Sequence, residues 1–398
     1  MSAPAKTIFL IAGEVSGDLI GGRLMTALEA EGDFRFVGVG GETMTARGLS
    51  SLFLADDLAL MGLTEILPHL PKLMRRLNET AEAVAREKPA ILVCIDASAF
   101  CQRLVRRLRK RGISVPIVQI KAPSAWAYWP WRAKALRRSV DRVLVILPFE
   151  PAFFAGYGVD ARFIGHPSLE SHIERGDGPG FRARHGVSAE QPVLLVLPGS
   201  RRNEVSRLLP IFHAALATIV SRVPDLTIVV PTVQSVAATV KEATAGWSWP
   251  VVVIEGSAER YDAFAAANAA LAASGTVAVE LAIAGVPTVI GYRLNALSAF
   301  LARRFLNIDY VSIPNLVLDR PLIPELLQQD CTPDKLAAAI VPLLTDEAAA
   351  REQRQGLAEA VALLTPPEGR PSDSAASEIL RLLDSPRAVD PSSRQPDG

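Results

Sequence analysis

A strand–helix alternation that runs twice, with a break between the runs, constrains this chain more than any other feature. In the first run the short apolar segments Thr7–Ala12, Phe34–Val39, Ala90–Ile95, Val115–Ile120 and Arg142–Leu147 read as strands. Helical periodicity covers about Gly17–Glu31, Pro71–Glu87, Ser98–Arg111 and Pro130–Ser139. Continuous apolar strands between amphipathic helices predict a parallel sheet covered on both faces. Between Gly165 and Gln191 the pattern breaks, with Gly176, Gly178, Pro179 and Gly180 close together, as expected of an interdomain linker. It then resumes, with strands at Pro192–Leu197, Leu226–Val230, Val251–Ile254, Ala269–Ala272 and Thr288–Gly291. Helices are expected at about Asn203–Val223, Val233–Thr244, Glu259–Ala267 and Val277–Ala284, and from about Pro324 to Leu383. The fold class is therefore α/β, with two Rossmann-like domains facing a central cleft, and ligands are expected at the carboxyl ends of the strands. The expected domains are 1–168 and 169–345, followed by helices over 346–384 that pack back on the first domain or on a partner subunit. A Pro- and Ser-rich tail over 385–398 is expected to be disordered.

The three cysteines, Cys94, Cys101 and Cys331, form no CxxC, which points to a reducing compartment and to no metal site. The first apolar run is too short for a signal peptide or a membrane span, and no later stretch reaches the length of a span. Net charge is zero but uneven: residues 1–165 carry 22 Lys and Arg against 16 Asp and Glu, and residues 166–398 carry 20 against 26. Either the two halves attract each other or the first half faces an anionic surface.

Four loops after strands carry candidate chemistry. Gly13-Glu14-Val15-Ser16-Gly17-Asp18 follows the first strand, and its glycines admit a close ligand. Its two carboxylates would repel a pyrophosphate, so it suits sugar hydroxyls, or is an ordinary capped turn. Gly38-Val39-Gly40-Gly41 reads as a tight turn. Pro198-Gly199-Ser200-Arg201 joins an apolar strand to a long helix, an arrangement that holds phosphate by backbone N–H groups, the helix dipole and a guanidinium. Ala273-Ser274-Gly275-Thr276 repeats that arrangement, with Glu280 placed to accept from ribose hydroxyls. Two such loops in one half suggest a nucleoside diphosphate. Asp96 ends a strand and is either a general base facing the cleft or the cap of the next helix.

The ordered motifs GEVSGD (13–18), GVGG-x-x-M-x-x-x-G (38–48), LPFE (147–150), FIGHP (163–167), LPGSR (197–201), SGTVAVE (274–280), GYR (291–293) and IPNL (313–316) resemble the lipid-A-disaccharide synthases over about residues 7–345. The resemblance implies a GT-B fold and a metal-independent, cofactor-free, inverting transfer. Its donor is UDP-2,3-diacylglucosamine and its acceptor 2,3-diacylglucosamine 1-phosphate. The products are a β-1,6 disaccharide 1-phosphate and UDP. It also implies a peripheral enzyme on the cytoplasmic face of the Gram-negative inner membrane, usually a homodimer, with no nucleic-acid partner. By position, Gly199, Ser200 and Arg201 meet the UDP phosphates, and Ser274, Gly275, Thr276, Glu280 and Asn315 line the nucleotide pocket. The base is Asp96 or Glu14, and Gly13, Ser16, Gly17, Asp18, Ser124 and Trp126 lie on the acceptor side.

The departures fall in the first half. Where the family usually reads Asp-x-Pro-Asp-Phe-Asn, this chain has Asp96-Ala97-Ser98-Ala99-Phe100-Cys101, and its tyrosine-valine-serine-proline-serine run is here Gln119 to Ser124 with Lys121 inside it. A UDP-N-acetylglucosamine 2-epimerase and a non-catalytic UDP-sugar-binding relative therefore stay open. Leu58–Arg76 is apolar with cations at Lys72, Arg75 and Arg76, and a second basic set runs from Arg103 to Arg111. This suits a membrane interface better than nucleic acid, because no reader motif is present; a core helix with a solvated basic face is the plainer reading. Trp126, Tyr128, Trp129 and Trp131 pack either against acyl chains or in the protein interior.

Overall fold

A computed structural model describes residues 5–58, 63–127, 131–273, 275–295 and 308–384, with side chains from Pro71 onward in the helix that begins at Leu63. Ser274, Tyr128, Trp129 and the tail from 385 lie outside the described residues. The chain forms two compact units, one of Met1–Pro167 with Pro366–Gly398 and the other of Ser168–Thr365.

The first unit is built on a parallel sheet of β1 (Lys6–Ala12), β2 (Phe34–Val39), β3 (Ser50–Ser51), β4 (Ile91–Ile95), β5 (Ile117–Ile120), β6 (Arg142–Val145) and β7 (Ala161–Phe163). Its order is β3-β2-β1-β4-β5-β6-β7. Because side chains alternate across a strand, Phe9, Ile11, Leu92 and Cys94 pack on one face with Leu104 of the helix Ser98–Lys110. Ile8, Leu10, Val93 and Ile95 pack on the other with Leu24 and Leu28 of the helix Val15–Glu31. The helix Pro371–Asp384 adds Ala375, Ala376 and Ile379 to this second face.

The second unit has β8 (Val193–Leu197), β9 (Thr227–Thr232), β10 (Val251–Glu255), β11 (Ala269–Ala272), β12 (Thr288–Tyr292) and β13 (Glu325–Leu327), ordered β10-β9-β8-β11-β12-β13. The helix Arg202–Arg222 lays Leu208, Phe212, Leu216 and Ile219 against Leu194 and Val196. Among the described helices it alone is long and apolar enough to cross a membrane, by length and composition. Here that apolar stripe covers the sheet.

Both sheets reverse strand order at one point, between β1 and β4 and between β8 and β11. At such switch points the loops leave the sheet in opposite directions and open a crevice at the carboxyl ends.

Several elements differ from expectation. The stretch 165–191 is folded: it makes short 3₁₀ turns at Pro167–Glu170 and Ile173–Arg175 and a helix at Gly178–Arg184. Asp177 caps that helix by accepting from the Gly180 N–H at 2.8 Å, and Phe181 anchors it in the core. The Gly-Pro-Gly run is thus a first helical turn, not a flexible spacer. Strands β3, β7 and β13 are too short to carry an alternation signal. The two C-terminal helices also part company. Glu347–Leu364 packs Leu357 among Ala278, Ala282 and Ile290 of the second unit, whereas Pro371–Asp384 returns to the first.

Candidate active site

At the switch point of the second sheet lies a cavity of about 400 Å³. Leu197, Thr232, Gly256 and Ala273 bring the ends of β8, β9, β10 and β11 to its wall, and the two phosphate-type loops supply Gly199, Ser200, Arg201, Gly275 and Thr276. Gly199 has φ +114°, and a Cβ there would come within 2.7 Å of Glu204 Cβ, so the turn excludes a side chain. The loop amides are not vacant. Glu204 reaches back from the third helical position, and its Oε2 accepts from the N–H groups of Ser200 at 3.1 Å and Arg201 at 3.3 Å. Arg201 itself stays mostly exposed, with Nη1 3.4 Å from Glu204 Oε1.

Two further residues of this wall were missed in the sequence. Arg260, from the helix after β10, pairs with Glu280, and both line the cavity. Burial pushes the Glu280 carboxyl up and the Arg260 charge opposes that shift. Glu280, expected to receive ribose hydroxyls, therefore already has a guanidinium partner. Thr232 lines the same cavity, and its buried hydroxyl has no hydrogen-bond partner. Such an orphan calls for a ligand or water.

Asn315 is not part of this wall. It is fully buried, accepts from the Ile323 N–H at 2.8 Å, and donates to the Ile323 carbonyl at 2.8 Å and to Glu325 Oε1 at 2.9 Å. Glu325 also accepts from the N–H groups of Val311 and Ser312. With its amide saturated, Asn315 ties the helix Ile313–Leu318 to β13. Ser274 falls outside the described residues.

In the first unit the loops after β1 and β4 meet. A Cβ on Gly13 would stand 3.1 Å from Ala97 Cβ, and Gly17 packs on the end of β4. Asp96 leaves β4 in a left-handed conformation, φ +55°, a region that Asp tolerates better than most residues. Its Oδ2 accepts from Ser16 Oγ at 3.0 Å and contacts the ammonium of Lys121 at the end of β5. The cap position of the following helix is Ala97, without a side-chain cap, so Asp96 is not the helix cap. Glu14 lines a second cavity of about 960 Å³ whose wall includes the exposed Val15 and Leu54. Asp18 borders it too, but its carboxylate is committed: it accepts from the N–H groups of Gly41 and Thr43 at 2.8 Å each and of Met44 at 3.1 Å. The GVGG turn and the GEVSGD aspartate are thus one structural unit.

Trp126 is half-buried and donates through Nε1 to Glu150 Oε1 at 3.0 Å, while Glu150 Oε2 accepts from the N–H groups of Ile146 and Leu147. Burial raises the Glu150 carboxyl to about 7. Ser124 is exposed and lines none of these cavities. His166 is buried, and desolvation with the nearby charge of Lys121 lowers it to about 4. Of the cations on the helix from Leu63, Lys72 and Arg76 are both paired with Asp57.

Two Rossmann-like units, each with polar groups gathered at its switch point, place the chain in the architectural class of GT-B glycosyltransferases and the epimerases that share their fold. The calicheamicin glycosyltransferase CalG4 matches with a TM-score of 0.61 over 97% of this chain and 100% of its own, at 17% identity. The UDP-GlcNAc 2-epimerase from Neisseria meningitidis, bound to UDP-GlcNAc, matches with a TM-score of 0.64 over 95% and 100%, at 11% identity. At these identities the likeness is one of fold. Sequence settles the family. The family model for LpxB, lipid-A-disaccharide synthetase, matches residues 8–380. The lipid-A-disaccharide synthase of Rhodospirillum centenum is 51% identical over 378 residues, 94% of each chain. The chain belongs to the lipid-A-disaccharide synthetase family, and is a glycosyltransferase of lipid A biosynthesis, not an epimerase.

Proposed function

We propose that the second-unit cavity grips the diphosphate of UDP-2,3-diacylglucosamine, and that Asp96 takes the proton from the 6-hydroxyl of 2,3-diacylglucosamine 1-phosphate as that oxygen attacks the anomeric carbon. The bond from that carbon to the diphosphate oxygen breaks with inversion. UDP departs, leaving the β-1,6-linked disaccharide 1-phosphate. One observation carries the reading: Arg201, Arg260 and the partnerless Thr232 hydroxyl converge on one cavity at the switch point. Arg201 is the exposed cation that meets charge as it develops on the leaving diphosphate. A phosphate that takes the Ser200 and Arg201 amides displaces the Glu204 carboxylate that holds them now.

On the acceptor side, Ser16 and Lys121 both hold Oδ2 of Asp96, which leaves Oδ1 for the hydroxyl. Glu14 is the second carboxylate at this strand edge and the reserve candidate for the base. The roomier cavity beside it, with Val15 and Leu54 exposed, suits an acylated sugar. Exposed Leu19 and Met74 are further apolar surface on this unit and support peripheral attachment to the cytoplasmic face of the inner membrane. Family membership supports a homodimer, which sedimentation tests.

The test is titration calorimetry with UDP alongside transfer of radiolabelled sugar between the two acylated substrates. Micromolar UDP affinity that collapses in Arg201→Ala, with disaccharide formed by the parent protein, is the expected result. UDP affinity untouched by that substitution overturns the assignment of the cavity.

A further inference from the structure

We propose that a separate, arginine-lined cavity along the amino-terminal turns of the helix Ser98–Lys110 binds the phosphate group of the acceptor; this rests on the transfer reading above. The cavity lies in the first unit and holds about 280 Å³. Arg103, Arg106 and Arg132 line it together with Ser98, Ala99 and Trp131, and its described lining contains no carboxylate.

What marks Arg103 and Arg106 is that two guanidiniums without an ion pair among the described residues line one cavity that holds no carboxylate. Elsewhere in the unit Arg35 pairs with Glu87, Arg76 with Asp57 and Glu79, and Arg142 with Asp160 and Glu378. Arg103 and Arg106 are exposed and make no ion pair among the described residues; Arg103 donates only to the Ala99 carbonyl of its own helix, at 3.2 Å. Arg103 and Arg106, three residues apart on one helix, repel each other unless an anion joins them, and Arg132 of the helix Trp131–Arg137 lines the same cavity. A phosphate monoester fits that need: it is dianionic, and forked guanidinium donors match its oxygens. Trp131 is 62% exposed and gives the cavity a flat apolar rim, suited to the face of a sugar ring.

Position identifies the source of the phosphate. The cavity wall begins at Ser98 and Ala99, two and three residues beyond Asp96, so the site adjoins the loop of the carboxylate assigned to the acceptor hydroxyl. A phospholipid headgroup offers the same chemistry but has no reason to lie beside that carboxylate.

The experiment compares two acceptors in neutral-detergent micelles: 2,3-diacylglucosamine 1-phosphate and the same sugar without its phosphate. The readout is the ratio of their kcat/KM values. In Arg103→Gln/Arg106→Gln this preference is expected to fall at least about tenfold, the scale of lost charge-assisted hydrogen bonds. Arg103→Lys/Arg106→Lys is expected to restore part of it, and both side chains are exposed, so the thermal midpoint reports that the variants remain folded. An unchanged ratio overturns the proposal. So does a loss of binding to phosphatidylglycerol vesicles with the ratio intact, which reassigns the arginines to a headgroup. If the parent protein forms no disaccharide from either acceptor, the transfer reading itself has failed and the phosphate site falls with it.

Discussion

The ammonium of Lys121 rests on Oδ2 of Asp96, and the two residues leave neighbouring strands with nearly the same left-handed backbone, φ +58° and +55°. Ile120 and Ile95 are register partners, so the pair follows from adjacent strand ends turning off the sheet together. Each turn is still tied at its base: the Asp96 N–H donates to Ile120 and the Lys121 N–H to Leu144. Lys121 is thus a positioning residue for the carboxylate. Asp96→Asn is expected to lower kcat by about 10²- to 10⁴-fold, the usual range for losing a general base. Lys121→Met leaves the carboxylate but releases its orientation, and a loss of about tenfold in kcat is expected. Lys121→Arg should recover part of that loss. Steady-state kinetics at saturating donor checks all three, and full activity in Asp96→Asn shifts the base to Glu14.

Arg201 and Thr232 separate charge from hydrogen bonding in the cavity proposed to hold the nucleotide. Arg201→Ala is expected to weaken UDP binding by about tenfold or more. Thr232→Val removes a buried hydroxyl that lacks a partner, so the free protein should be as stable as the parent or more so. Its UDP affinity should nevertheless drop. Calorimetric titration paired with thermal melts reads both quantities, and a Thr232→Val protein that binds UDP as the parent does removes that hydroxyl from the site.

Asn315 is expected to behave as a structural residue. Asn315→Ala breaks the bonds to Ile323 and Glu325 and strands buried groups, at about 2–4 kcal/mol of stability. Chemical denaturation measures the loss. UDP affinity in the folded fraction should remain within twofold of the parent, about the scatter expected for a residue outside the contact shell.

Glu150 and His166 give stability two opposed pH slopes. Glu150 lies near 7 in the folded protein against 4.5 for the free group. Folding therefore takes up a proton in that window, and this contribution to stability declines as pH rises through it. His166 lies near 4 against 6.5, so the unfolded chain binds the extra proton and its contribution declines as pH falls from 6.5 to 4. Relative to the parent, Glu150→Gln should gain stability from pH 4.5 to 7, while His166→Asn should lose it from pH 4 to 6.5. Each change amounts to about 3 kcal/mol across its window. Denaturant melts at stepped pH test the signs.

The loops that line the second-unit cavity were legible because strand, Gly-Ser, cation and helix lie together in sequence at Pro198–Arg201. Asp96 was legible for the same reason, as a carboxylate closing an apolar strand. Arg260 was not, because it reaches the cavity only through the sheet order that sets β9 beside β8 and β10 beside β9. Lys121 stood out in the sequence as a departure, and its meaning needed the register of β4 with β5. Asp18 and Asn315 show the opposite limit. A polar residue in a motif looks the same whether it serves a ligand or distant backbone, and their partners, at Gly41–Met44 and Ile323–Glu325, are set by the fold. Arg103 and Arg106 read in sequence as part of a generic basic helix, because the cavity that they share with Trp131 and Arg132 is set by the fold.

The helix Pro371–Asp384 belongs to the first unit although the whole second unit precedes it along the chain. On the ribosome, the contiguous segment Ser168–Thr365 can close as soon as it emerges. The first sheet must meanwhile wait with the packing sites for Ala375, Ala376 and Ile379 bare. The amino-terminal half is therefore the later of the two to mature, and its apolar face is what a chaperone would find uncovered during synthesis.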